Sequence, residues 1–323
     1  MTRVAVLDDW QRLARDSADW APLERRAQVS FFDAPLGGPD DVARQLAEFD
    51  IVLAMRERTP FPASLVSRLD KLRMFGLTGA RAASIDTEAM MARGVTVCIT
   101  GGGRSGTNTA ELTLGLILAA ARHIPAGDAA IRAGRFQDGV GAGMDLAGRT
   151  LGIVGLGRIG QCMARYGQAL GMRVIAWSQN LTAATASAAG ATLVTKESLL
   201  QQADVVTLHL VLSDRTRGIL GAAELARMKP GALLVNTSRG PLVDEAALVA
   251  ALQAGRIRAA LDVYDREPLP AGHPLRGLPN TVLTPHLGYT TFETFAEFYS
   301  QSIENTLAFL DGKPVRVMQR RAS

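Results

Sequence analysis

Residues 151–160 read Leu-Gly-Ile-Val-Gly-Leu-Gly-Arg-Ile-Gly, and no other stretch limits the possible fold as tightly. An apolar run passes directly into glycines spaced G-x-G-x-x-G. Ile159, Met163, Tyr166 and Leu170 then recur at helical spacing until Gly171 stops the pattern. A strand that becomes a helix across such glycines is the entrance of a doubly wound α/β sheet. Gly155 permits the tight turn, Gly157 lets the backbone approach a ligand, and Gly160 lets the helix pack on its strand. The first turn of that helix, which begins with Arg158 and Ile159, presents unpaired N–H groups and a positive dipole end, and these suit the pyrophosphate of a dinucleotide. A second strand, Arg173–Trp177, follows, and its end should read the ribose. Ser178-Gln179-Asn180-Leu181 offers neither the carboxylate that selects NAD nor an arginine for the phosphate of NADP. The cofactor is therefore read as NAD or NADP, with the preference open.

The same alternation extends in both directions. Before the glycine loop, strands are expected at Val4–Leu7, Val29–Phe32, Ile51–Ala54, Arg73–Leu77 and Val95–Cys98, with helices at Asp41–Glu48, Ala63–Leu69 and Thr87–Arg93. After it, strands are expected at Val205–Leu208, Leu233–Asn236, Ala259–Val263 and Val282–Leu283. Helices fit Lys196–Gln201, Ala222–Arg227, Glu245–Gln253 and a long final Thr291–Leu310. Strands alternating with helices imply parallel pairing, and apolar runs without alternation imply strands covered on both faces. Thr107–Ile124 reads as one helix, apolar on several sides, and Ala133–Gly148 as a glycine-rich connection.

Composition excludes several classes. The 323 residues are 47% hydrophobic and 20% charged, enough for a large core and unlike a disordered chain. The net charge of +4 comes from scattered arginines without a basic stripe or interleaved aromatics, which argues against nucleic acid. The strongest apolar stretch, Leu112–Ala121, is too short for a membrane span, and MTRVAVLDDW lacks a secretory leader's pattern. Cys98 and Cys162 give neither a disulfide framework nor a metal-ligand spacing, so a cytoplasmic, metal-free protein is expected.

Three segments after expected strands carry chemistry: Asn236-Thr237-Ser238-Arg239-Gly240, Leu261-Asp262-Val263 with Glu267-Pro268, and Thr284-Pro285-His286-Leu287-Gly288. Ligands of open α/β sheets bind at the carboxyl ends of strands, so these groups should converge. Arginine binds a carboxylate in two-point fashion. Histidine serves as a general acid near neutral pH, contributing roughly 10²–10⁴-fold, and a neighbouring glutamate holds its orientation. Such a set suits reduction of a 2-keto acid by hydride. His123, His209 and His273 are read as structural: in a helix, at the end of a buried strand and in a loop.

GLGRIG, NTSRG, LDV with EP, and TPHLG, in this order and spacing, resemble the D-isomer-specific 2-hydroxyacid dehydrogenase family over nearly the whole chain. The resemblance implies two Rossmann-like or flavodoxin-like domains with parallel sheets. A cofactor domain, residues 101–286, would be inserted into a discontinuous substrate domain, residues 1–100 plus 287–323, with a cleft between them. It places the substrate-binding arginine on Arg239, the supporting glutamate on Glu267 and the proton-donating histidine on His286. Asp262, Thr237, Ser238 and Gly288 fall on the nicotinamide side. It also implies a homodimer, to which the Thr107–Ile124 helix would contribute.

The chain departs from the family at Thr78-Gly79-Ala80-Arg81, where Arg81 replaces the second glycine of a substrate-holding loop. Gly79 and Arg81 are expected to bind substrate, with a structural ion pair the equal alternative for Arg81. The loop at 99–106 is glycine-rich where the family more often has a proline. The leading reading is oxidoreduction between NAD(P)H and a small 2-keto acid, giving the D-2-hydroxy acid, whose identity stays open. The alternatives are a phosphoglycerate-type dehydrogenase, with Arg56, Arg58 and Arg81 as cations, and a nicotinamide-sensing, corepressor-like binding protein.

Overall fold

The computed structural model describes residues 1–80, 82, 84–101 and 106–320. The chain divides into two compact units, Met1–Arg104 with Thr290–Ser323, and Ser105–Tyr289.

The first unit is built on β1 (Thr2–Val6), β2 (Ala27–Phe31), β3 (Ile51–Ala54), β4 (Met74–Leu77) and β5 (Thr96–Ile99), all parallel and ordered β2-β1-β3-β4-β5. That is the flavodoxin-like order, with its switch point between β1 and β3. β3 and β4 are buried at every position, as their unalternated apolar sequences require. Short helices α1 (Ala14–Ser17), α2 (Ala21–Glu24), α3 (Pro39–Leu46), α4 (Ala63–Val66) and α5 (Thr87–Ala92) cover the sheet. Phe61, Phe75, Leu65 and Val52 form the core under them.

The second unit opens with α6 (Thr107–Ala121) and α7 (Ile124–Arg132). The helix expected over Thr107–Ile124 ends at Ala121, and α7, which was not expected, turns away from it by 65°. The break has a local cause: His123 adopts a left-handed conformation at φ 52°, and Pro125 sits in the first turn of the helix that follows. His123 is thus a junction residue and not the helical one expected. The buried stripe of α6 runs through Ala110, Thr113, Leu116, Ile117, Ala120 and Ala121 and includes a hydroxyl.

The rest of this unit comprises β6 (Thr150–Val154), α8 (Arg158–Ala169), β7 (Arg173–Trp177), α9 (Ala183–Ala188), β8 (Thr192–Leu193), α10 (Lys196–Gln202), β9 (Val205–Leu208), α11 (Ala222–Arg227), β10 (Leu233–Asn236), α12 (Glu245–Gln253), β11 (Arg258–Leu261) and β12 (Thr281–Leu283). Its sheet is parallel throughout, ordered β12-β11-β10-β9-β6-β7-β8, which reverses direction between β6 and β9 as in a dinucleotide-binding fold. α6 and α8 pack one face through Leu116, Ile117 and Met163. α10, α11 and α12 pack the other through Leu199, Leu225 and Leu248.

The final helix, α13 (Phe292–Leu310), belongs to the first unit, where it packs on α1, α2 and β4. Thr291 caps it, accepting from the Thr294 N–H. Among the described residues no single helix is long and apolar enough to cross a membrane.

One buried acid makes the first unit pH-sensitive. Asp8 is 1% exposed, accepts a 2.9 Å hydrogen bond from the Thr59 hydroxyl through Oδ1, and has no partner at Oδ2. Burial pushes its carboxyl from 3.8 up to about 6. The folded state then holds this proton more tightly than the unfolded chain. The stability it confers is complete below about pH 4 and lost as pH rises through about 6. Asp8→Asn keeps the Thr59 bond and removes the charge. It should raise stability near pH 7 by up to about 3 kcal/mol and flatten the profile between pH 4 and 7. Urea unfolding across that range tests this; parallel wild-type and variant profiles would contradict it.

Candidate active site

The glycine loop leaves β6 with Gly155 at φ 101°, a backbone that L side chains rarely adopt. A Cβ there would lie 2.7 Å from the His209 carbonyl oxygen, and a Cβ at Gly160 would lie 2.2 Å from the Gly155 carbonyl oxygen. Gly157 differs, because nothing lies within 4 Å of where its Cβ would be. It is the N-cap of α8 and provides no side-chain cap, so the helix N-terminus stays open for phosphate oxygens. The residues therefore fit a dinucleotide. Ser178 follows β7, whose last carbonyl, on Trp177, accepts from Gly155 N–H, so Ser178, the position expected to read a ribose, lies beside the loop. Gln179 and Asn180 next to it are exposed.

The other expected groups leave the sheet along the same edge. In-register pairing aligns Asn236 with Leu261 and Leu261 with Leu283, so the turns after β10, β11 and β12 emerge side by side. The turn after β10 is braced from within. Asn236 Nδ2 donates to the Arg239 carbonyl, Ser238 N–H donates to Asn236 Oδ1, and the Ser238 hydroxyl donates to the Leu208 carbonyl. Arg239 is half-buried, with Nη1 2.7 Å from the Ser238 carbonyl. Gly240 is sterically required, since its Cβ would meet the Tyr264 carbonyl carbon at 2.1 Å.

Glu267 and His286 are in direct contact. Nδ1 of His286 lies 2.6 Å from Glu267 Oε2, while Glu267 Oε1 accepts from the Tyr264 N–H at 2.9 Å. A carboxylate facing Nδ1 requires the proton on that nitrogen, which leaves Nε2 for exchange with a ligand. The imidazole packs edge-on against Tyr289. His286 sits at φ 56°, and Asp262 maintains this strained turn. The fully buried Asp262 carboxylate accepts from Leu287 N–H at 2.7 Å, Gly288 N–H at 2.9 Å and the Thr284 hydroxyl at 2.6 Å. Desolvation raises its pKa, opposed by the Thr284 hydroxyl and the backbone donors.

Sequence reasoning passed over Thr109, Thr113 and Glu245, which brace the expected groups. Thr237 is buried, and its hydroxyl shares a 2.8 Å hydrogen bond with that of Thr113 on α6. Thr109, one turn earlier, donates to the Gly288 carbonyl at 2.9 Å. The available signal was a pair of threonines four residues apart in a helix that is mostly apolar after its first turns. Glu245 accepts from Asp265 N–H and lies 3.1 Å from His273 Nε2, bracing the loop that carries Glu267. Burial pushes His209 down to about 3, so its imidazole stays neutral, and it pushes the Cys98 thiol up to about 11. In the first unit, Gly79 has φ 80°, and its N–H donates to the Thr100 hydroxyl. Arg81 lies outside the described residues.

Residues 114–288 match the family profile described as D-isomer specific 2-hydroxyacid dehydrogenase, NAD binding domain. The chain belongs to that family. A glyoxylate reductase of Aeropyrum pernix is 41% identical over 257 residues, covering 77% of this chain and 76% of that protein. A D-3-phosphoglycerate dehydrogenase of Methanocaldococcus jannaschii is 40% identical over 244 residues, covering 75% of this chain and 46% of that protein. The chain spans about half the length of the phosphoglycerate dehydrogenases it matches. A crystal structure of phosphoglycerate oxidoreductase from Vibrio cholerae superimposes with a TM-score of 0.91 at 37% identity, covering 97% of this chain and 100% of that one. Within this family's fold, the open Gly157 cradle and the uncapped α8 are where NAD or NADP fits.

Gly160→Ala should weaken reduced-dinucleotide binding by roughly 10–100-fold, because the added methyl forces the α8 N-terminus off the loop. A fluorescence titration checks this, and unchanged affinity would show that the close Gly155–Gly160 approach is dispensable.

Proposed function

We propose that this protein transfers hydride between NAD(P)H and a small 2-keto acid, producing the D-2-hydroxy acid. The observation that carries the reading is the Glu267–His286 pair at the exit of β12, anchored by Asp262 and flanked by the Arg239 turn. Arg239 binds the substrate carboxylate, and His286 Nε2 faces the keto oxygen. The nicotinamide, when bound, supplies the hydride to the keto carbon or takes it back. As carbon gains hydride, the doubly protonated His286 gives its Nε2 proton to the oxygen and keeps the Nδ1 proton, and Glu267 holds the ring in place throughout. Gly155, Gly157, Arg158, Ile159 and Gly160 hold the pyrophosphate, and Ser178 faces the ribose. Thr237, Ser238, Asp262 and Gly288 border the nicotinamide.

In this reading residues 101–286 are the cofactor domain, and residues 1–100 with 287–323 bind substrate through Gly79 and Arg81. A non-phosphorylated substrate is favoured by the state of Arg58. Its Nη1 donates to the Asp8 carbonyl at 2.6 Å and to Gln11 Oε1 at 3.2 Å, and its guanidinium stacks over Trp10. A cation so engaged is a poor phosphate ligand. Exposed Ile124, Ile131 and Phe136 on and after α7 support a homodimer, and two unpaired buried cysteines suit the cytoplasm.

The test follows NADH and NADPH oxidation with glyoxylate, hydroxypyruvate, pyruvate and phosphohydroxypyruvate. Turnover is expected with a non-phosphorylated acid. His286→Ala should lower kcat by roughly 10²–10⁴-fold, and Glu267→Gln should lower it less. Preference for phosphohydroxypyruvate would favour the phosphoglycerate reading. Tight cofactor binding with no turnover on any acid would favour a sensor.

A further inference from the structure

We infer that Thr113 and Thr109 of α6 are positioning residues that hold the Arg239 turn and the His286 turn in one register. The inference rests on the hydride-transfer reading above. Thr113 is fully buried, and its hydroxyl lies 2.7 Å from the Thr109 carbonyl and 2.8 Å from the Thr237 hydroxyl. A hydroxyl carries one proton. With that proton on the Thr109 carbonyl, Thr237 must donate to Thr113, and the chain runs Thr237 to Thr113 to the helix backbone. Thr237 stands two residues before Arg239.

Thr109 makes the second attachment through its own hydroxyl, donated to the Gly288 carbonyl two residues beyond His286. Gly288 has no slack. Its N–H is held by Asp262, and a Cβ there would meet Asp262 Oδ2 and Thr109 Cγ2, both at 3.3 Å. One turn of one helix thus ties down the two turns that carry the candidate reacting groups.

Neither threonine is explained by α6 as a helix. Threonine is a weak helix former, and a buried hydroxyl bonded to its own helix backbone adds little stability. The Thr113–Thr237 bond and the Thr109–Gly288 bond both lead off the helix, to turns beside Arg239 and His286. Reacting groups need placement within a fraction of an ångström, and a displacement of about 1 Å costs about 10²-fold in rate.

The experiment compares kcat, KM, dinucleotide affinity and thermal midpoint for wild type, Thr113→Val, Thr113→Ser, Thr109→Val and Thr109→Ser. Thr306→Val is the control: its buried hydroxyl bonds only the Ser302 carbonyl of its own helix among the contacts described, in the other unit. Each valine variant should lose roughly 10–100-fold in kcat/KM, through kcat for Thr109→Val and through both kcat and KM for Thr113→Val, whose turn carries Arg239. Each serine variant should recover most of the loss, and Thr306→Val should keep wild-type kcat. Valine variants with wild-type kcat, or a kcat loss that Thr306→Val shares and serine does not repair, would overturn the inference. If wild type itself reduces no keto acid, the functional reading fails and this inference with it. Wild-type turnover with unaffected valine variants overturns this inference alone.

Discussion

A buried carboxylate held by hydrogen bonds organises the carboxyl edge of the sheet in the second unit. Asp262 is held by three donors from the 284–288 segment: two backbone N–H groups and one hydroxyl. A desolvated charge is tolerable only where hydrogen bonds replace its water, so Asp262 and that segment stabilise each other. The consequence is geometric. With Leu287 and Gly288 directed at Asp262, His286 is left in a left-handed conformation, and its ring is carried to Glu267. The same turn receives the α6 hydroxyl at Gly288. Removing the Asp262 carboxylate would release the segment that places the imidazole, whatever else remained intact.

The parallel sheet explains why these groups meet. Parallel strands end together, and each exposes its last residues on the same edge. Asn236, Leu261 and Leu283 lie in register, so three sequence segments separated by dozens of residues become neighbours a strand apart. The glycine loop leaves the same edge after β6, at the point where strand order reverses. The first unit applies the same logic with different chemistry. At its own switch point, Asp8 follows β1 and the Arg56–Arg58 segment follows β3. There Arg58 is drawn onto Trp10 and the Asp8 carbonyl.

Much of this was legible from the residues. Unalternated apolar runs marked the buried strands, and the three glycines had separate steric causes that the backbone bears out at Gly155 and Gly160. The histidine–glutamate contact was expected from motif order. The long apolar helix was expected three residues too long and α7 after it was missed, because one left-handed histidine and a proline at the junction leave little trace in composition. The short α9 and β8 carried too little periodicity to stand out. The spacing of Thr109 and Thr113 could be seen but not their partners, since a threonine in a helix does not reveal which loop it will face.

The sequence by itself determined the class of fold and the chemical types at the strand ends. Those depend on local patterns: apolar runs, glycine steric freedom and helical spacing. Tertiary structure decided which groups are engaged and by what. It directed the Ser238 hydroxyl to Leu208, the Thr237 hydroxyl to Thr113 and the Arg58 guanidinium to Asp8 and Trp10. These pairings join residues 30, 124 and 50 positions apart. A hydrogen bond is satisfied by whatever donor or acceptor packing brings within reach, and only the folded sheet sets that distance.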